Sequence, residues 1–335
     1  MIIPIIYPSA IQFWMDSNLL NYSDSFSLEK RYPALLPDHY EFHPTSSVAA
    51  KISQQFGFTY PIHVMAPDIV SRRINNYFSS GLKPCHLPSD SFIEIDSFRI
   101  QSGDKSDIYS IYLASPELCF LEAAVHLSLI ELIKLGYDLC AIYLTDTTAD
   151  YHHTSRKIIA TQQSIAAYLE TMTNIKGIKK ARTAIRHVLN RSNSPRETML
   201  SMILTLPMSM GGYGIYKPEL NERVQLSEQG SQILHRDYCI CDIVWENKKI
   251  IVEYDSNLTH LNSTQHELDK ARISALTLSG YQVITLTPAN MRSLSDLDNI
   301  CTALRWKLGL HKECARLNKY NEKRRALYKY LKEST

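Results

Sequence analysis

Three acidic residues, Asp242, Glu253 and Asp255, flank two β-branched apolar runs that a polar turn separates. The turn, residues 246–248, predicts that the two runs fold back on each other as a hairpin. Because side chains alternate faces along a strand, Glu253 and Asp255 should share one face with Ile251. The hairpin would bring Asp242 opposite that pair, so the sequence predicts three carboxyl groups around one point.

Carboxyl groups gathered in this way favour a divalent metal ion. Burying an ionised carboxylate is costly unless it is paired or binds a metal. Hard oxygen ligands suit Mg²⁺ or Mn²⁺, which keep several waters and accept phosphate oxygens from a substrate. A metal ion so held can activate water and neutralise charge on a phosphodiester. The alternative is that Glu253 and Asp255 are solvated at a strand end while Asp242 forms a salt bridge, and patterning alone does not separate the two.

The order of motifs around these acids resembles a known superfamily. An Asp precedes an apolar strand ending Val-Glu-Tyr-Asp, and a His, an Asp-x-x-Arg on a helix and Gly-Tyr-x-Val-Ile before a last strand follow. This order is similar to the PD-(D/E)XK nuclease superfamily, and most similar to its branch around the very-short-patch-repair (Vsr) endonucleases. The matching residues, within about residues 190 to 310, are Asp242, Glu253, Asp255, His260, Asp269, Arg272 and Gly280-Tyr281-Gln282-Val283-Ile284.

The resemblance implies a restriction-endonuclease-like domain, with a mixed central sheet flanked by helices, that hydrolyses DNA phosphodiester bonds with Mg²⁺ or Mn²⁺. Asp242 and Glu253 would bind the metal ion, and Asp255 would assist or hold the attacking water. Asp255 stands where the commonest superfamily pattern has Lys, a change that is usual in this branch and that makes His260 the proton-transfer group. The first helix of such domains often supplies one more acid, which by position is Glu197.

Basic residues supply candidate contacts to DNA phosphates. The candidates are Lys270, Arg272, Lys179, Lys180 and Arg182. Residues 311–335 add eight Lys or Arg against three Glu, with Tyr residues interleaved. Such segments can lie along a phosphate backbone, in which case binding weakens steeply with salt. Solvated helix faces explain the same charges about equally well.

Patterns around the acids predict the elements that position them. Ser194 and Pro195 begin a helix that carries Glu197 in its first turn. A strand, strand, helix, strand series follows, at 238–245, 249–254, 268–278 and 281–286. A long C-terminal helix is expected over 297–331, interrupted near Gly309.

The N-terminal part of the sequence has a different character. Short apolar runs bounded by Pro, Asp and Ser predict short strands and loops up to about residue 110. Ser115 and Pro116 then begin a helix that Gly136 is expected to end, and helical spacing returns over 155–190. We therefore expect an α+β domain at residues 1–190, with a targeting, partner-binding or regulatory role, and the nuclease-like domain at residues 191–335.

Composition narrows the function classes. The chain has 335 residues, with 36 Lys plus Arg against 34 Asp plus Glu and a net charge of +2. This balance excludes an indiscriminately basic DNA-binding protein and leaves a nuclease with local basic surfaces open. Seven scattered Cys without a secretory leader predict reduced thiols in a cytoplasmic protein, with Cys239 and Cys241 in the core. No apolar run is long enough to cross a membrane.

The layout of the whole chain also resembles abortive-infection, type IV antitoxin-like proteins, which often carry a Vsr-like C-terminal domain. The shared features are a strand-rich start, Ser115-Pro116-Glu117-Leu118 at a helix start and the basic segment at 177–182. They imply a phage-defence or toxin–antitoxin context with a possible protein partner for the N-terminal domain. Another function class is a catalytically degenerate nuclease fold that binds nucleic acid or regulates, for which binding would survive loss of Asp242 and Glu253.

Overall fold

A computed structural model describes residues 1–16, 40–42, 45–66, 77–79, 87–102, 105–144, 154–255 and 263–334. The chain divides into two compact units, Met1–Val188 and Leu189–Thr335. This division lies close to the boundary expected at residue 190. The protein has a mixed α/β fold with two mixed sheets flanked by helices. In the described part of the chain, no helix is both long enough and apolar enough to span a membrane.

The N-terminal unit is built on a five-stranded sheet with the order β3-β2-β1-β5-β4. Its strands are β1 (Ile2–Ile5), β2 (Ile62–Val64), β3 (Tyr77–Ser79), β4 (Phe92–Ser102) and β5 (Lys105–Ala114). Its helices are α1 (Ser9–Met15), α2 (Ser46–Phe56), α3 (Pro116–His126), α4 (Leu129–Leu139), α5 (Gln162–Thr171) and α6 (Ile178–Ile185). A separate pair of short strands, β6 (Tyr143–Leu144) and β7 (Thr154–Ser155), is antiparallel.

The long hairpin of β4 and β5 departs from the expectation of short strands and loops before residue 110. The two strands pair antiparallel over their whole length, with a register irregularity between Glu94 and Asp96. Strand β5 also pairs in parallel with β1, whose Ile3 and Ile5 are fully buried. The hairpin therefore has one strand inside the sheet and one at its edge.

Gly136 does not end a helix, as the sequence had suggested. The predicted helix is two helices, because Ser128 caps the start of α4 with a reciprocal pair of hydrogen bonds to Glu131. Gly136 lies inside α4, where a Cβ atom would come within 2.5 Å of Val188 Cγ2. The glycine marks a close approach between packed segments, and the prediction of a helix end there was wrong.

The C-terminal unit is built on a four-stranded sheet with the order β11-β10-β9-β8. Its strands are β8 (Glu219–Gln225), β9 (Tyr238–Trp245), β10 (Ile250–Tyr254) and β11 (Gln282–Leu286). Its helices are α7 (Pro195–Thr205), α8 (Glu228–Leu234), α9 (Ser263–Leu278), α10 (Leu294–Lys307) and α11 (Asn321–Glu333). A 3₁₀ helix, His311–Tyr320, joins α10 to α11, so the expected C-terminal helix is in three pieces.

The hairpin predicted around residues 246–248 is confirmed. Strands β9 and β10 pair antiparallel, with Ile250 opposite Trp245 and Val252 opposite Ile243. From β10 the chain returns through α9 to β11, which pairs with β10 in parallel, as expected of a strand, helix, strand crossover. Strand β8, which the sequence analysis did not predict, adds to the outer side of β9.

A compact apolar core holds α9 against this sheet. The core consists of Val224, Leu226, Cys239, Cys241, Val244, Ile251, Ala275, Leu276 and Tyr281. Cys239 and Cys241 are buried free thiols within it. The apolar alternation of β9 and β10 therefore serves the core, and the polar positions within these strands require a different explanation.

A glycine-rich turn fixes the C-terminal end of α7, the helix that carries Glu197. The amide of Tyr213 donates to the carbonyl of Ile203, and the amide of Ile215 donates to the carbonyl of Leu204, both over 2.9 Å. A Cβ atom at Gly212 would lie 2.0 Å from the carbonyl oxygen of Leu206. Only glycine allows the turn to lie this close to the helix.

Replacing Gly212 with Ala should therefore lower the free energy of unfolding by about 3 kcal/mol or more, since backbone must move to relieve the overlap. Gly309→Ala is the control, because nothing lies within 4 Å of its Cβ position and only the positive φ of 81° opposes it. That strain costs about 1–2 kcal/mol. Urea denaturation of the two variants would contradict this account if Gly212→Ala were no less stable than Gly309→Ala.

Candidate functional site

Glu197 lies in the first turn of α7, and its carboxylate is held by a set of local hydrogen bonds. Ser194 caps the helix by accepting from the amide of Glu197, and its hydroxyl donates to Glu197 Oε1 over 3.2 Å. Glu197 Oε2 accepts from the amide of Asn193 over 2.9 Å and from Asn221 Nδ2 over 2.7 Å. The side chain is buried, and burial raises its pKa although these hydrogen bonds oppose the shift. The capping sequence thus places a fixed acid at the edge of the sheet.

Asp242 lies in the second half of β9. Its Oδ2 accepts a hydrogen bond from the amide of Tyr254, at the end of β10, over 2.8 Å. Burial raises the pKa of Asp242 to about 8, with further contributions from the charges of Glu253 and Glu197. At neutral pH, in the absence of a compensating cation, the folded protein therefore favours the protonated form of Asp242.

Glu253 lies near the end of β10 and forms an ion pair with Arg272 of α9. Arg272 Nη2 is 2.7 Å from Glu253 Oε1, and the side chains are 32 % and 15 % exposed, respectively. The same guanidinium nitrogen donates to the carbonyl oxygen of Ile240 on β9. Arg272 therefore connects α9 to both strands of the hairpin and orients the Glu253 carboxylate.

Asn221 is a site residue that the sequence analysis missed. Pairing of Leu220 with Ile243 and of Glu222 with Cys241 leaves Asn221 opposite Asp242. Its backbone has a φ of 48°, which is rare for a strand residue, and its amide nitrogen donates to the Arg191 carbonyl as well as to Glu197. An Asn inside an otherwise alternating strand is the signal that would have pointed to it.

These contacts bring Glu197, Asp242 and Glu253 together from α7, β9 and β10. The charge of Glu253 raises the pKa of both other acids, and the charge of Glu197 raises that of Asp242. Three carboxyl groups from three elements therefore share one partly buried electrostatic environment. Such an arrangement is unfavourable for folding unless protons or cations neutralise it.

The remaining predicted catalytic residues lie beyond the end of β10. Asp255 directly follows the strand, is partly exposed, and its amide donates to the carbonyl of Leu286 over 2.8 Å. This bond places Asp255 beside the end of β11. His260 lies outside the described residues, so its role in proton transfer stays a prediction.

The predicted DNA-contacting residues fall into two groups. Lys270 on α9 and Lys179 on α6 are exposed. The other three have their charged groups engaged by protein oxygens: Arg272 with Glu253, Lys180 Nζ with the Leu127 carbonyl over 2.7 Å, and Arg182 with the Leu169 and Met172 carbonyls over 2.9 Å. Structural roles account for these three, and a role in DNA binding stays a prediction for all five.

The donor set has the chemistry of a site for a hard divalent cation. Mg²⁺ commonly takes only one or two protein carboxylates and completes its shell with water and phosphate oxygens. Arg272 bonds one oxygen of Glu253, and Asp242 Oδ1 accepts no hydrogen bond from the described residues. Within the described ranges no three His, Cys, Asp or Glu side chains are arranged to hold one ion together. The fit is therefore to two direct ligands, Asp242 and Glu253.

Comparisons with protein-family models, with curated proteins and with solved structures found no match for the chain. Assignment of the three acids consequently depends on their geometry and on the motif resemblance.

The raised pKa of Asp242 predicts an unusual pH dependence of stability. Between the ordinary pKa and about 8, the folded state binds a proton that the unfolded state has released, so stability falls as pH rises. In EDTA, we expect the unfolding free energy of the wild type to fall relative to that of Asp242→Asn, by at most ~1.4 kcal/mol per pH unit between about pH 5 and pH 8.

Glu246→Gln is the control for this pH series. The hydrogen bonds from Lys249 and Tyr281 lower the pKa of Glu246, so its contribution is lost only at acidic pH. The unfolding free energy of Glu246→Gln should change with pH as that of the wild type does over the same pH range. Parallel curves for the wild type and Asp242→Asn in chemical denaturation would show that Asp242 is not the titrating group.

The Arg272–Glu253 ion pair should stabilise the fold measurably. A double-mutant cycle with Arg272→Met and Glu253→Gln is expected to give a coupling energy of about 1–3 kcal/mol, since both groups are largely shielded from water. The matched control is the exposed Lys249–Glu246 pair, whose side chains are 50 % and 59 % exposed and whose coupling should stay below about 1 kcal/mol. Equal coupling energies in the two cycles would contradict the role of Arg272 in orienting Glu253.

Proposed function

We propose that the C-terminal unit is a metal-dependent nuclease of the PD-(D/E)XK type that hydrolyses DNA phosphodiester bonds. The observation that carries this proposal is the gathering of Asp242, Glu253 and Glu197, whose charges oppose one another in a partly buried environment. A protein gains no stability from such a cluster of like charges. The cluster is understandable if a cation and a phosphate group are bound there during function.

Asp242 and Glu253 would hold a Mg²⁺ or Mn²⁺ ion through one carboxylate each. Bound there, the ion would lower the pKa of a coordinated water and neutralise charge on the scissile phosphate. Asp242 must lose its proton to bind, so binding should strengthen as pH rises toward 8. Arg272, bonded to Glu253 Oε1, keeps this carboxylate oriented.

The other acids and the histidine would act on water and protons. Glu197, fixed by Ser194, Asn193 and Asn221, would accept a hydrogen bond from a water molecule next to the phosphate. Asp255 would orient the attacking water. His260 would carry a proton to or from the reacting oxygens, since its ordinary pKa of about 6.5 suits both directions.

We further propose that the N-terminal unit supplies target choice, a partner surface or restraint, and that the protein acts in the cytoplasm in phage defence or a toxin–antitoxin pair. The layout resemblance supports this context. Within that unit, a sheet edge formed by β4 offers a surface for a protein partner.

Cleavage assays should separate the roles of these residues. With Mg²⁺ and plasmid, single-stranded or mismatched DNA, the wild type should cleave at least one substrate, and Asp242→Asn and Glu253→Gln should lose activity. His260→Ala should lower the rate about 10²- to 10⁴-fold, as expected for a general acid or base. Glu246→Gln, on the hairpin turn, should cleave like the wild type.

Calorimetric titration with Mn²⁺ gives an independent measurement. One site should be seen in the wild type and in Glu246→Gln, and it should vanish in the Asp242→Asn/Glu253→Gln double variant. A wild type that neither binds Mn²⁺ nor cleaves any of these DNA substrates would overturn the nuclease proposal.

One observation favours a second candidate, a catalytically degenerate nuclease fold that acts as a nucleic-acid-binding or regulatory module. Arg272 already neutralises Glu253, which leaves less need for a cation. This alternative predicts salt-sensitive DNA binding that is unchanged in the double variant, with no heat of Mn²⁺ binding in the wild type.

A further inference from the structure

Trp306, near the C-terminal end of α10, is the most exposed large apolar side chain recorded among the described residues. Its side chain is 61 % exposed, whereas Trp14 and Trp245 are 4 % and 2 % exposed. The imidazole of His311 stacks on the indole, with ring centroids 5.0 Å apart and an angle of 22° between the planes. A second ring therefore supports the indole while much of its surface stays open to solvent.

Another exposed aromatic side chain is bonded to the C-terminal end of α10. Tyr216 is 39 % exposed, and its hydroxyl donates to the carbonyl oxygen of Leu308, two residues after Trp306. The Tyr216 carbonyl in turn accepts from Trp245 Nε1 over 2.8 Å. These two bonds tie Tyr216 to the C-terminal end of α10, the helix that also carries Trp306.

The surroundings of the aromatic rings are cationic. Lys217 and Lys307 are exposed and directly follow Tyr216 and Trp306 in the chain. His311, stacked on the indole, is also exposed. Exposed aromatic rings interleaved with lysines are the combination that binds unpaired bases by stacking and phosphates by charge. The cores of protein–protein interfaces, in contrast, are depleted in Lys.

We propose that Tyr216, Lys217, Trp306, Lys307 and His311 form a binding platform for single-stranded nucleic acid, here called the Trp306 platform. Bases would stack on the open indole and phenol surfaces, and the two lysines would contact the flanking phosphates. The proposal rests on the proposed function in that the bound strand would belong to the substrate of the nuclease site. It adds a substrate class, a strand with unpaired bases, that the acidic site does not specify.

The test is the affinity for a fluorescein-labelled oligo(dT) strand, measured by anisotropy in EDTA so that no cleavage is needed. Trp306→Ala should weaken binding roughly 5- to 100-fold, because each base stacked on an aromatic ring contributes about that factor. Trp306→Phe, which keeps a ring, should retain most of the affinity. Leu268→Ala is the matched control, since Leu268 on α9 is 56 % exposed and has no role in the platform.

Intrinsic fluorescence supplies a second measurement on the same samples. Because the other two Trp side chains are buried, quenching of emission by added oligo(dT) should come mainly from Trp306 and be lost in Trp306→Phe. Binding by Trp306→Ala within twofold of the wild type would overturn the proposal. It would also be overturned if Trp306→Ala changed only the molar mass in light scattering, which would indicate self-association through this surface.

The outcome is distinguishable from failure of the nuclease proposal. The Asp242→Asn/Glu253→Gln variant should bind oligo(dT) like the wild type. Oligo(dT) binding that depends on Trp306, without cleavage of any DNA substrate, would reject only the nuclease proposal. Cleavage that needs Asp242, with binding that does not need Trp306, would reject the platform alone.

Discussion

Mutual repulsion among three carboxyl groups is the constraint on which the C-terminal unit depends. Asp242 interacts electrostatically with Glu253 on the neighbouring strand and with Glu197 on α7, and burial removes much of the water that would otherwise screen these charges. In an apolar sheet core these positions would carry aliphatic side chains. Their acidity lowers the stability of the unit, and the surrounding polar contacts are arranged to limit that loss.

The contacts that offset the negative charge differ for each of the three acids, which is consistent with different roles. Glu197 receives neutral hydrogen bonds from a helix cap and from Asn221, so its position is fixed without loss of negative charge. Glu253 receives a full positive charge from Arg272. Asp242 receives one backbone amide, and burial raises its pKa to about 8 although the charge of Arg272 opposes the shift. Among the described contacts, Asp242 thus has only one direct bond, from a neutral donor, to offset its charge, and an added cation would have its largest effect there.

Local patterns predicted the hairpin and crossover of the C-terminal sheet, but neither strand β8 nor the contacts between the elements. The β9–β10 hairpin and the return through α9 to β11 follow from a polar turn, apolar alternation and helical spacing, all of which are local in sequence. Glu197 was assigned only through resemblance, because no local pattern relates residue 197 to residue 242. The contacts of Asn221 and the Arg272–Glu253 pair were not predicted. They depend on the pairing of β8 with β9 and on the orientation of α9 against the sheet. Gly136 was misassigned because a glycine required for packing looks the same in sequence as one that ends a helix.

The turn at Gly211 and Gly212 also packs against the last helix, α11. A Cβ atom at Gly211 would overlap the carbonyl oxygen of Lys323, so the turn is pressed between α7 and the backbone of α11. One side of α11, with Arg324, Leu327 and Leu331 buried, therefore packs against the turn that fixes the C-terminal end of α7. The opposite side carries its exposed basic residues. A substitution on the buried side would therefore disturb the turn that follows α7, whereas a substitution on the exposed side would change surface charge and leave that packing intact.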